Sequence, residues 1–178
     1  MSTHTYALGP ADARLTVRTS RSGAAAKAGH DLLIEASAWC GTLELDAGAG
    51  GGSVVVKVDP ASLRVLEGTG GITALGDDDK AKIVRTITEQ VLKDTPIEYR
   101  SSELRAAGEV CHVQGELTLN GRAMPLAFDL RVTADGHLSA GVVVKQSTWG
   151  VKPYSGLLGA LKVDDDLLIE VEGRLPRA

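Results

Sequence analysis

The stretch from Val113 to Val144, VQGELTLNGRAMPLAFDLRVTADGHLSAGVVV, constrains the fold more than any other part of the chain. It alternates apolar and polar residues with a period of two over three successive runs, the period of half-buried β-strands. Val113, Leu117 and Leu119 share one side of the first run, with Gln114, Glu116 and Thr118 on the other. Asn120-Gly121 supplies the two residues that tolerate positive φ in a type I′ hairpin turn. On the return, Met124, Leu126, Phe128, Leu130 and Val132 face one way and Ala123, Pro125, Ala127, Asp129 and Arg131 the other, up to a second turn at Asp135-Gly136. Leu138, Ala140, Val142 and Val144 continue the apolar face. The pattern predicts three consecutive antiparallel strands.

The same period recurs along the chain. Leu15 and Val17 alternate with Arg14, Thr16 and Arg18, and Leu32, Ile34, Ala36 and Ala38 share a face. Leu43 and Leu45 have the opposite parity, which predicts a bulge or bend at Gly41. Val54, Val56 and Val58 form a further strand ended by Asp59-Pro60. Ile97 to Leu104 enters the organising sheet, and Leu167, Ile169, Val171 and Leu175 form the last strand. One segment departs from this period. From Asp77 to Leu92, Ile83, Ile87 and Val91 recur at four-residue spacing and Val84 and Leu92 widen the stripe, which predicts a helix capped by Asp77 or Asp78. The expected fold is therefore mainly β: a single domain over residues 1–178, an antiparallel lipocalin-like β-barrel of about eight strands with one α-helix.

Composition narrows what such a barrel can hold. The 178 residues include 43% hydrophobic but only 3% aromatic side chains, so an internal cavity must be lined mainly by Val, Leu, Ile and Ala, a lining suited to a flexible aliphatic chain. A net charge of −4 and the scarcity of aromatics argue against nucleic-acid binding. The glycine run at residues 47 to 52 lacks the Lys-Ser or Lys-Thr and the following helix of a phosphate-binding loop. Asp77 to Asp79 fan out around a helix start rather than converging on a metal, and the four histidines stand at no zinc-site spacing. No cofactor and no metal are expected. Cys40 and Cys111 read as buried free thiols. No apolar run of about 18 residues and no signal-like N-terminus is present, which predicts a cytoplasmic protein without a transmembrane segment.

The run VQGELTLNGRAMPLAFDL, preceded by PIEYRSSEL and followed by STWG and LKVDDDLLIEVEG, resembles the YceI-like (polyisoprenoid-binding) family from Tyr6 to Leu175. The resemblance implies an antiparallel barrel holding a long isoprenoid or other lipid chain. It also sets the AGHDL loop at the barrel mouth, where His30 would donate to a polar head group; the alternative is that Asp31 caps a turn and His30 bonds backbone. The chain departs from many relatives at Thr148-Trp149-Gly150, so head-group contacts are not carried over there.

Alternation nominates the ligand lining: Leu117, Leu119, Leu126, Phe128, Leu130, Ala140, Val142, Val144, Ile169 and Val171. The long interruption from Gln146 to Leu161 suggests a lid in which Trp149, Lys152 and Tyr154 face the ligand, or a plug in which Trp149 fills the barrel end. The reading is a non-enzymatic carrier or store for a polyisoprenoid, an isoprenoid quinone or polyprenyl phosphate-like lipid, with a long-chain isoprenoid or fatty lipid as partner and a homodimer left open. An enzyme using His30 and Asp31 on a bound lipid, and a ligand-free stress-related barrel, are the alternatives.

Overall fold

The computed structural model describes residues 2–48 and 50–176. Its strands are β1 (Thr3–Leu8), β2 (Ala13–Thr19), β3 (Arg21–Ser22), β4 (Asp31–Ala36), β5 (Trp39–Asp46), β6 (Gly52–Val58), β7 (Leu63–Thr69), β8 (Ile97–Ala107), β9 (Val110–Leu119), β10 (Arg122–Val132), β11 (His137–Lys145), β12 (Ser155–Gly156), β13 (Leu161–Val163) and β14 (Asp166–Arg174), with one α-helix, α1 (Asp77–Thr86). Eleven strands form one curled antiparallel sheet in the order β1-β5-β6-β8-β9-β10-β11-β14-β2-β4-β7, and β12-β13-β3 form a small second sheet. The large sheet exceeds the expected eight strands because β1 and β7 add its two edges and the stretch from Asp31 to Asp46 is divided into β4 and β5.

The organising hairpin folds as its sequence requires. Arg122 pairs with Leu119, and Asn120 and Gly121 take φ of 52° and 73°, the turn that Asn-Gly makes cheaply. The parity change read at Gly41 has a different origin. β5 keeps one continuous register with β6, from Trp39 opposite Val58 to Leu45 opposite Gly52, so there is no bulge at Gly41. The chain turns a corner three residues earlier, at Ser37-Ala38, where the Ser37 N–H donates to the Ser62 carbonyl at 3.1 Å and the Asp59 N–H to the Ala38 carbonyl at 3.1 Å. This corner carries the chain from β4, near one end of the sheet order, to β5, near the other. It thus curls the sheet into a half-barrel by joining its two ends, which is why the inward parity resets there. The bulges themselves lie elsewhere, between Leu33 and Ile34 and between Ser101 and Glu103.

Helix α1 and a π-turn, Ile87–Val91, together cover nearly the expected span. Neither Asp77 nor Asp78 is the cap. Gly76 holds that position, and the Asp79 carboxylate accepts its N–H at 3.3 Å. Lys93 and Asp94, at φ of 53° and 52°, end the helix before Pro96.

The interior is divided along the barrel axis. At one end Leu43, Leu104, Cys111, Val113, Leu130 and Leu138 are buried against one another, all under 7% exposed, and this half is filled like an ordinary core. The other half is hollow.

Candidate ligand cavity

The hollow half is a cavity of about 620 Å³. Its walls are the inward faces of the barrel strands: Leu15 and Val17 on β2, Leu32, Ile34 and Ala36 on β4, Val56 and Val58 on β6, Leu117 and Leu119 on β9, Val142 and Val144 on β11, and Ile169 and Val171 on β14. Period-two alternation puts these side chains inside, because each strand has one face to the interior and one to water. The helix completes the wall. Ile83, Ile87, Val91 and Leu92 face the cavity, so the apolar stripe that would ordinarily seek a packed core here borders open space.

The two aromatic rings in the lining that come from the large sheet, Tyr99 and Phe128, meet at a centroid distance of 5.1 Å with planes tilted by 57°. Tyr99 is 6% exposed, and its hydroxyl donates to the Leu126 carbonyl at 3.1 Å. Burial pushes its phenol up to about 12. Gly115 stands where any Cβ would meet the Tyr99 hydroxyl and the Arg100 carbonyl, so its missing side chain is the space the tyrosine occupies.

Charge is confined to one layer. Arg21, His30, Asp79, Lys82 and Lys162 line the cavity, and none belongs to the eleven-stranded sheet. They come from β3, β13, the helix and the loop before β4, and form a rim with three fixed cations and one carboxylate. The Arg21 guanidinium donates to the carbonyls of Gly29 and Thr69, and His30 Nε2 lies 2.7 Å from the Thr73 carbonyl, which makes that nitrogen the protonated one. Gly70 and Gly71, at φ of 80° and 76°, allow this. A Cβ on either would strike the Arg21 guanidinium or the His30 ring, so the glycine-punctuated loop after β7 is what lets the chain lie against both side chains.

Of the nominated residues, Leu117, Leu119, Leu126, Phe128, Ala140, Val142, Val144, Ile169, Val171, His30 and Tyr154 border the cavity. Four do not. Leu130 points inward but is 6% exposed in the filled half, opposite Cys111, since a strand longer than the cavity is deep passes through both regions. Asp31 accepts the Arg21 backbone N–H at 2.9 Å and shares no hydrogen bond with His30, so the two do not form an acid–base pair. Lys152 is exposed to solvent. Trp149 is 3% exposed, its indole N–H donating to the Leu117 carbonyl at 2.7 Å and its own carbonyl accepting from the Asn120 amide at 3.3 Å. It acts as a plug, and the reason lies in the sheet. β10 and β11 pair only from Leu130 to Val132, and the 3₁₀ turn Gln146–Trp149 packs into the split left beyond them. The cavity also takes in residues outside the lining expected from the sequence: Leu15, Val17, Ile34 and Val56 with their strand neighbours, the helix stripe, Tyr99, Arg21 and Lys162. The strand faces and the stripe have a readable signal in their periodicity, which tells of an inward face without telling what that face meets, whereas Arg21 and Lys162 have none.

Among the described residues no helix is long and apolar enough to cross a membrane, and no three His, Cys, Asp or Glu side chains cluster. The free thiols differ in setting: Cys111 is buried, whereas Cys40, expected to be buried, is exposed on β5. Its strand parity faces outward, as the pairing with Lys57 shows.

A half-barrel filled at one end and open to an aliphatic, ligand-sized space at the other defines a lipocalin-like binding fold. The chain belongs to the YceI-like domain family, whose pattern matches residues 6–175. No curated protein matches it. Among solved structures, Burkholderia cenocepacia BcnA is similar with a TM-score of 0.66 at 16% identity, covering 90% of this chain and 94% of that one. A Campylobacter jejuni YCEI protein is similar with a TM-score of 0.60 at 12% identity, over 82% and 85%. These likenesses are of fold.

Proposed function

We propose that this protein is a non-enzymatic carrier or store that holds a polyisoprenoid chain, an isoprenoid quinone or polyprenyl phosphate-like lipid, in the hollow half of its barrel. The observation that carries the reading is the cavity: about 620 Å³, within the roughly 300–1,000 Å³ of small-molecule sites, with aliphatic walls and charge only at the rim. Binding would be by desolvation, at about 0.8 kcal/mol for each buried CH₂. A largely apolar wall, in which Tyr99 and Gln146 spend their donors on backbone carbonyls, accepts branched prenyl units in any register, while the cations of Arg21, Lys82 and Lys162 suit carbonyl or phosphate oxygens at the end of the chain. Against the enzyme reading, His30 and Asp31 are each engaged with backbone and not with one another. Against the filled-barrel reading stands the cavity itself.

Denaturing extraction of the purified protein followed by mass spectrometry tests the proposal. A prenyl lipid approaching one per chain is the expected result, and a lipid-free protein that also fails to take up prenyl lipid from detergent overturns it. Cell fractionation tests the cytoplasmic location expected from the sequence.

A further inference from the structure

The rim of the cavity carries apolar side chains that none of the described residues covers. β12 and β13 form a hairpin, Ser155 opposite Lys162 and Gly156 opposite Leu161, whose tip presents Leu157 and Leu158. They are 60% and 110% exposed, and both sit at positive φ, 47° and 57°. A leucine in the left-handed region is strained by about 1–2 kcal/mol, and one fully in water gains nothing from burial, so this tip has two unfavourable features and no internal compensation. Ile72, 80% exposed, caps the loop after β7.

The two loops converge on one place. Arg21 pairs with Val163 at the foot of the hairpin, and its guanidinium donates to Thr69 where the Ile72 loop begins. Tyr154, Leu161 and Lys162 border the cavity from the hairpin, and His30, which bonds Thr73, borders it from the other loop. The exposed apolar tips therefore flank the cavity entrance.

Their charge surroundings are unequal. Lys162 lies on the hairpin, and exposed Lys27 lies in the 3₁₀ turn Ala26–Ala28, held beneath the hairpin by the Ala25 N–H to the Ala160 carbonyl at 2.8 Å. The carboxylates of Asp77, Asp78 and Asp79 stand on the other side, at the start of α1 just after the Ile72 loop.

We propose that this end of the barrel docks on the surface of an anionic phospholipid bilayer, with Leu157, Leu158 and Ile72 inserted among the acyl chains and Lys27 and Lys162 against the head groups. Apolar tips with adjacent cations are the pattern of interfacial membrane binding. The acidic helix start tilts the contact toward the hairpin. Docking there places the cavity mouth against the bilayer, so a long apolar chain passes between membrane and barrel without crossing water. This last step rests on the cavity being a lipid site, whereas the docking does not.

Flotation of the full chain with phosphatidylcholine vesicles, with and without phosphatidylglycerol, tests it. The wild type is expected to partition onto the anionic vesicles, less at high salt. L157S/L158S is expected to lower that partition by roughly tenfold or more, with an unchanged or higher melting temperature and unchanged lipid uptake from detergent micelles. K27Q is expected to weaken the preference for anionic over neutral vesicles. Failure of the wild type to bind vesicles, or unchanged binding of the double variant, overturns the docking. So does a wild-type dimer that the double variant converts to monomer without any vesicle binding in either, because the patch is then a contact between copies. Absence of extractable lipid from a protein that still binds vesicles overturns the cavity reading and leaves the docking in place.

Discussion

At the scale of single residues, Tyr99 and the two cysteines are the most informative. Tyr99 is a buried polar group in the cavity wall, and its phenol is pushed up to about 12 from an ordinary value of 10 because burial disfavours the phenolate. A raised folded-state pKa leaves the stability intact below the unfolded value and removes it as pH rises. Between about pH 10 and 12 the unfolded chain has released a proton that the folded chain keeps, so stability falls by up to about 1.4 kcal/mol per pH unit. Denaturant titrations across this range are expected to show that slope in the wild type and its loss in Tyr99→Phe, which keeps the ring against Phe128. The thiols give a second test. Cys40 is exposed and Cys111 is 3% exposed, with burial pushing its thiol up. A thiol reagent should label Cys40 in the native protein and reach Cys111 only on unfolding; labelling of neither in the unfolded, unreduced chain would mean a disulfide.

At the scale of elements, the decisive one is the 3₁₀ turn at Gln146–Trp149. Its Ser147 N–H donates to the Asp165 carboxylate at 2.8 Å, and that hydroxyl-bonded carboxyl is held below its usual range. The Gln146 amide donates to the Asp164 carbonyl at 3.0 Å. So anchored, the turn seats Trp149 where β10 and β11 part. Trp149→Ala is expected to cost about 3–5 kcal/mol, as for other large buried aromatics, and to leave the Leu117 carbonyl without its donor. Melting and hydrogen exchange at the β10–β11 split would read it. A loss below about 1 kcal/mol would mean the turn is a loose cover and not part of the core.

At the scale of the molecule, the question is how one barrel can be core and container together. The strands run ten or eleven residues in β8, β9 and β10, longer than either half requires, so the same strand supplies Leu130 to the packed end and Leu126 to the hollow one. Stability and capacity are thus separable. Val142→Trp, in the cavity wall, is expected to reduce bound lipid sharply with a stability change of under about 1 kcal/mol, whereas overpacking the filled end by Cys111→Phe should cost about 1–3 kcal/mol and spare binding. Lipid per chain and melting temperature, measured together, check both. Equal stability losses at the two sites would mean the barrel is uniformly filled.

By itself the sequence determined which residues face inward, since alternation at a period of two is a local property of a strand and the hairpin at Asn120-Gly121 follows from backbone preferences of two residues. The helix was legible for the same reason, as was the aliphatic character of any interior. Depth along the barrel was not legible. Leu126 and Leu130 share a strand, a face and a chemistry, and only the closing of the sheet around them makes one a wall and the other a core residue. Nor was the corner at Ser37-Ala38, which depends on hydrogen bonds to Ser62 and Asp59, more than twenty residues away. Arg21, His30, Lys82 and Lys162 carry no shared pattern because four separate segments bring them to one rim, and Trp149 became a plug only because the strands beside it part. Local periodicity is written in neighbouring residues, whereas depth, closure and the rim are relations between distant ones, and these exist only once the chain has folded.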